Sequence, residues 1–482
     1  MSTDTSAAAA TPSHSENALH RGLGVSSIVA MVAAGAAPLA VVALTTPIII
    51  ALSGSVASPL LFIVAGVVLL LFSVGFTSMS RHVRNSGAFY SYIQAGLGRV
   101  VGLGAAALAL VSYFLLQVGL YTYVGVAVTG AISRFWGVET PWWLWTLLSF
   151  VIISALGYRD IELSSKILLV ALIAEAGVVL VLDASILFQG GAEGLSAAPL
   201  NVADLMAGTP SIGLMFAFFC FIGFEATAVF RNEARDPDRT IPRATYIAVG
   251  MIAALYALSA FALVIGVGPS NALDVATNDT ANMTPDLFLR YTGVVIHDIT
   301  NVLLVTSTFA CALTFHNVLT RYQYTLGSLK VLSPRLAEVH PRFRAPSFSS
   351  LVVTVITGLL VLAMTITGLD PINEIYTWFS GAATLGLLTL MALTSVAVVV
   401  FFRRRGDGHV ASTVIAPIIA ALSLAAVITI ALANIELLIP DPVATGILLT
   451  LLVLAFIGGV VLAMRMKRTK PGAYAHLHDQ ES

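Results

Sequence analysis

Charge is what this chain has least of. Asp, Glu, Lys and Arg make up 10% of its 482 residues, against roughly a quarter in soluble domains. Apolar residues reach 58% and mean hydropathy is +0.93, so a soluble α-protein is excluded: so few charges cannot cover its surface. Cysteine is scarcer still. Cys220 and Cys311 both sit in apolar runs, which leaves no disulfide framework and no metal cluster. A Gly-x-x-x-x-Gly-Lys-Ser/Thr loop is missing, which argues against a nucleotide-driven pump, and the absence of His-Glu-x-x-His or a paired-acid motif argues against an intramembrane enzyme. Neither a repeated pore loop nor a charged ring marks a channel. The net charge of −1 points to no nucleic-acid partner. The expectation is a non-enzyme with no cofactor and no metal.

What the chain has instead is apolar runs, several longer than the roughly 18 residues that a bilayer crossing needs. They fall at about 25–52, 57–80, 98–131, 141–158, 164–189, 211–232, 243–267, 294–319, 348–367, 373–402, 411–437 and 442–464. The expected fold is an all-α polytopic membrane protein with twelve transmembrane helices. Alternate loops test the count. With the N-terminus inside, only Arg134 and Arg290 of the 24 basic residues fall outside, while the outer loops carry Asp274, Asp279, Asp286, Asp370 and Asp441. That asymmetry predicts a multi-pass protein of the plasma membrane with both termini cytoplasmic. Residues 1–20, rich in Ser, Thr, Ala and His, read as a disordered tail, and 467–482 as a cytoplasmic tail.

Two runs carry internal irregularities. The first is longer than a crossing needs and contains Ala33-Ala34-Gly35-Ala36-Ala37-Pro38, small residues ending in a proline that removes a helix hydrogen bond. Close helix packing is the competing explanation of such residues. The sixth run carries Glu225 just after Phe221-Ile222-Gly223-Phe224. A carboxylate at membrane depth costs several kcal/mol and is tolerated mainly at functional positions, though it can also simply bond a neighbouring helix. Interruptions in runs one and six are where two inverted five-helix repeats place a transporter's binding site. Half-helix ends there present amides to a carboxylate and carbonyls to an ammonium group.

Three motifs then carry a family resemblance. Phe221-Ile222-Gly223-Phe224-Glu225 is followed by Glu233-Ala234-Arg235-Asp236-Pro237-Asp238-Arg239-Thr240-Ile241-Pro242-Arg243-Ala244. Asn85-Ser86-Gly87-Ala88-Phe89-Tyr90-Ser91-Tyr92 follows the second span. Arg321-Tyr322, Ser333-Pro334-Arg335-Leu336-Ala337-Glu338-Val339-His340-Pro341 and Arg344-Ala345-Pro346 follow the eighth. Together they resemble permeases of the amino acid, polyamine and organocation (APC) superfamily over residues 20 to about 405. The resemblance implies a LeuT-type 5+5 inverted repeat, about 25–189 and 211–402 within a core of 21–405, plus two C-terminal helices in 406–466. It implies a secondary transporter for amino acids or related amines. On it, the substrate carboxylate meets amides near Ala34, Gly35, Ala36 and Ala37, the ammonium meets carbonyls of Phe221 and Ile222 beside Gly223, and Phe219 covers the substrate. The family's first-helix motif is commonly Gly-x-Gly, whereas Gly35-Ala36-Ala37 stands here.

Coupling rests on two acids. Many relatives have a lysine where Glu175 stands in the fifth run; a carboxylate there reverses the charge, so it takes a proton, accepts backbone donors, or joins Ser307 and Thr308 in holding a cation. An acid in low dielectric is most readily carried neutral, so Glu175 and Glu225 together favour proton symport. Exchange, sodium symport and a non-transporting amino acid sensor are the alternatives. Asp183, near the outer end of the fifth run, reads as solvated, and His316 as a helix–helix hydrogen-bonder. Gln117 and Tyr121 are candidates to line the site.

Overall fold

The computed structural model describes residues 24–83, 88–159, 165–225, 227, 234–343 and 345–476. The N-terminal tail, Asn85-Ser86-Gly87, Glu233 and Arg344 lie outside the described residues. Among the described residues the regular structure is helical, with no sheet, and ten helices are long and apolar enough to cross a membrane. The labelled elements are α1 (Val25–Gly35), α2 (Thr46–Ser53), α3 (Ser58–Ser80), α4 (Ala88–Leu97), α5 (Arg99–Trp136), α6 (Trp142–Tyr158) and α7 (Ser165–Gln189). They continue with α8 (Pro210–Phe219), α9 (Pro237–Val267), α10 (Met283–Ser328), α11 (Ser347–Thr367), α12 (Thr377–Arg405), α13 (Ala416–Ala433) and α14 (Pro442–Thr469). Two of these, α6 and α8, are apolar but shorter than a full crossing.

The helices sort themselves by how much of their apolar surface finds a protein partner. The first span is 94% buried over its most apolar window, whereas α11 and α14 are only 22% buried and turn the rest outward. Side chains such as Val151, Ile173, Val295, Leu359 and Ile366 stand more than half exposed. An apolar exterior of this extent is stable only against lipid. Small residues set the closest approaches: a Cβ on Gly459 of α14 would land on the Leu103 carbonyl of α5. Arg134 at the close of α5 pairs at 2.8 Å with Asp298, which follows the kink at Gly293 in α10.

One sequence expectation is met here and another is corrected. The sixth apolar run is interrupted where its irregularity lies: α8 stops at Phe219 and residues 220–225 are turns, because the chain enters a left-handed conformation at Gly223 that an α-helix excludes. Pro237 opens α9 at its first position, where a missing N–H leaves nothing unsatisfied, and Pro242 lies inside it. Arg321 and Tyr322 are not in a loop; α10 continues to Ser328, and the Tyr322 ring packs between those of Tyr90 and Tyr113, at 5.3 and 6.3 Å.

Candidate functional site

The first span breaks where its small residues are. The Ala36 N–H closes α1 on Val32 O at 3.1 Å; Ala37 then turns left-handed (φ 44°, ψ 67°), and Pro38 begins a new turn that passes through a π-helical stretch, Val41–Thr45, into α2. Carbonyls left behind by the break are met by hydroxyls from elsewhere: Tyr256 of α9 donates to Ala36 O at 3.1 Å and Tyr123 of α5 to Ala40 O at 3.0 Å. An interruption buried this deeply persists because other helices supply the lost partners.

The second break lies directly against the first. At Gly223 φ is +111°, and a Cβ there would stand 3.7 Å from the Gly35 carbonyl carbon and 3.9 Å from Ala36 N. Glycine thus serves both the backbone angle and the closeness of the two interruptions. Glu225 holds the turn: its Oε2 accepts from the Gly223 N–H at 2.8 Å and its Oε1 from the Tyr113 hydroxyl at 2.8 Å. The acid is buried, and both oxygens have donors.

Between the breaks lies a small cavity of about 40 Å³. Gly35, Ala36, Ala37 and Ile222 line it, together with Phe219. Ala34 belongs to α1, but its side chain lies outside the described residues. Phe221 and Gly223 are not on the wall: Phe221 packs its ring against Tyr256, centroids 6.1 Å apart, and Gly223 faces the first break. Phe219 closes one side with Tyr376, whose rings meet edge to face at 6.1 Å, and the Tyr376 hydroxyl is tied to Thr45 Oγ1 at 2.9 Å. Phe219→Ala is expected to raise the half-saturating substrate concentration about tenfold or more, the scale of a lost buried aromatic contact. Phe219→Trp should change it far less; equal effects in an uptake titration would mean that the ring only packs.

The α5 residues expected on the wall, Gln117 and Tyr121, are not there. Leu116, Leu120 and Tyr123 line it instead, one helical face away, while Gln117 Nε2 donates to Ala312 O at 2.8 Å and Tyr121 lies 3.4 Å from His316 Nδ1. His316 is buried and hydrogen-bonds Ser350 of α11 at 3.0 Å. A single sequence could not register that helix, because α5 is apolar on nearly every face. Tyr376, Thr45, Cys311 and Phe315, also on the wall, carried no sequence signal beyond their positions in spans one, eight and ten.

Beside the first break lies a second polar group. Ser307 of α10 donates to Glu175 Oε2 at 2.8 Å, and the Leu39 amide, just past Pro38, bonds the same carboxyl. Thr308, the next residue, instead lines the cavity, with its hydroxyl on Leu304 O at 2.8 Å. Asp183 is not solvated: it is 1% exposed between α7 and α9 and accepts from Ser259 at 2.8 Å. It turns inward because Ser259 offers it a donor that lipid does not. Among the described residues no group of three or more His, Cys, Asp or Glu is placed to hold a metal.

Comparison with known proteins agrees with this architecture. An uncharacterized transporter of Mycobacterium bovis is 28% identical over 286 residues, 58% of this chain and 58% of its own length. The histidine permease HisP of Lactococcus lactis is 24% identical over 339 residues, 66% of this chain and 68% of its own. Cationic amino acid transporter 4 of Homo sapiens is 28% identical over 200 residues, 42% of this chain and 28% of its own. The chain thus spans a little over half the length of the mycobacterial relative. The family described as amino acid permease matches residues 28–471. With ten membrane-length helices and this match over nearly its whole length, the chain is a multi-pass membrane protein of the amino acid permease family.

Proposed function

We propose that this protein is a secondary transporter that moves amino acids or related amines across the plasma membrane by alternating access, coupled to protons. The observation that carries the proposal is the contact between two backbone interruptions, one on each side of the cavity, at Gly35–Ala37 and Cys220–Gly223. Backbone polarity concentrated on an otherwise apolar cavity suits a zwitterion, whose carboxylate seeks amides and whose ammonium seeks carbonyls. The proposed organisation is twelve spans with both ends cytoplasmic. Repeats of five helices at about 25–189 and 211–402 are followed by two further helices in 406–466.

Of the two acids, Glu175 is the better proton carrier. Both oxygens of Glu225 already accept from donors that shape the second break, so its protonation disturbs the site's frame. Glu175 instead links α7, α10 and the first break, three segments whose relative motion would open or close the cavity. A second reading has an observation of its own: the Glu175 carboxylate and the Ser307 hydroxyl, with Thr308 adjacent, are oxygen ligands of the kind a sodium ion takes. Uptake by purified protein in proteoliposomes separates the two. Proton coupling predicts accumulation under an inward proton gradient that a protonophore abolishes and that survives replacement of sodium by choline. Loss of uptake on sodium removal, with the protonophore acting only through the membrane potential, would assign the coupling to sodium. Absence of labelled-substrate counterflow under every condition would leave the sensor.

A further inference from the structure

We infer that the cavity selects neutral aliphatic amino acids and rejects cationic and anionic ones, with Leu116, Leu120 and Phe315 forming the side-chain end of the site. The inference rests on the transporter reading above and deepens it. Every described side chain on the cavity wall is uncharged. Four of them carry hydroxyls, and each hydroxyl is already committed: Tyr376 to Thr45, Tyr123 to Ala40 O, and Thr308 to Leu304 O. The nearby carboxylates are committed too, Glu225 to Tyr113 and Gly223, Glu175 to Ser307 behind the first break. Ala36 O, Ala40 O and the Gly223 N–H are taken within the protein, so the α-carboxylate and α-ammonium of an amino acid would consume what the other backbone groups of the two breaks offer. A charged side chain would then enter the apolar remainder with no counter-charge, and burying an unpaired charge is among the least favourable events in a protein interior.

Leu116 and Leu120 lie four residues apart on one face of α5, and Phe315 of α10 closes the same wall, its ring 6.0 Å from that of Tyr113 beneath it. This end is therefore apolar. Two relatives are named for cationic amino acids and for histidine; the wall described here separates this chain from such substrates.

The test uses the only two cysteines of the chain, because both line the cavity: Cys220 and Cys311, the latter with its Sγ 3.4 Å from Gly35 O. Methyl methanethiosulfonate transfers its methylthio group to a cysteine sulfur, releasing methanesulfinate, and an amino acid seated in the cavity blocks its approach. Full-length protein in detergent is labelled with and without each candidate. Alanine, valine and leucine should slow labelling about tenfold at ten times their half-saturating concentration, as simple occupancy requires, and lysine, arginine and glutamate should leave it unchanged at the same concentrations. A Cys220→Ser, Cys311→Ser double variant should not label. Leu116→Ala should shift protection from leucine toward phenylalanine by about tenfold or more, the discrimination that a few methylenes give. Protection by lysine or arginine equal to that by leucine overturns the inference and leaves transport standing. If no amino acid protects, the inference falls, and counterflow in proteoliposomes of the same preparation decides separately whether the transporter reading falls with it.

Discussion

Gly223→Leu is expected to abolish uptake while leaving a folded, monodisperse protein. Two effects add at this position. A left-handed φ of +111° is one that L side chains rarely adopt, and forcing it costs on the order of 1–3 kcal/mol. Beyond strain, a Cβ alone would sit in van der Waals contact with the Gly35 carbonyl and Ala36 amide. The three further carbons of leucine must therefore displace the first break, the second break, or the substrate between them. Surrounding helices hold α1, α2 and α8, so the bundle survives a local rearrangement that the site does not. The measurement is initial uptake in proteoliposomes alongside a size-exclusion profile and a thermal unfolding curve. Uptake near that of the unchanged protein would show that the second interruption is not where substrate binds. Gly223→Ala adds one methyl at the same φ and should fall between, retaining measurable uptake with weakened apparent affinity.

Glu175→Gln is expected to separate exchange from accumulation. The amide keeps the size of the carboxyl and can still accept from Ser307 and Leu39 through its oxygen, so the corner between α7, α10 and the first break should keep its shape. What the substitution removes is the ability to take up and release a proton. One proton moved down a one-unit pH gradient supplies about 1.4 kcal/mol, which corresponds to about tenfold accumulation of a co-transported neutral solute. The unchanged protein should approach that ratio, and Glu175→Gln should only equilibrate its substrate while exchanging labelled for unlabelled amino acid at a comparable rate. Accumulation undiminished in the variant would remove Glu175 from coupling and return attention to Glu225. If the variant instead abolishes a sodium requirement, the acid is a cation ligand.

Much of this was legible from residue order because the bilayer imposes simple rules. Lipid admits backbone only where its polar groups are paired, so long apolar runs had to be helices, and the distribution of arginine and lysine gave them an expected direction. The two irregular places were visible for the same reason. Ala36-Ala37-Pro38 cannot extend a helix without losing bonds, and an acid so close to Gly223 is unusual at membrane depth. Fold class, the approximate spans and the breaks in the first and sixth are therefore properties that the order of residues determines by itself.

Tertiary structure alone decided which faces meet. Gln117 and Leu116 are neighbours in sequence and both sit in an apolar run, yet one bonds the Ala312 carbonyl while the other lines the cavity. No periodicity distinguishes them, because a helix buried on all sides has no polar face to set its rotation. The same holds for Asp183, which the chain order places near a helix end and the packing turns onto Ser259. It holds again for Glu225, whose two oxygens are claimed by a tyrosine 112 residues away and by an amide two residues away. In lipid an apolar surface gains little by leaving its surroundings, so hydrophobicity places helices in the membrane but does not orient them there. Their rotation is settled by close packing of small residues and by the pairing of buried polar groups, which depend on partners far along the chain.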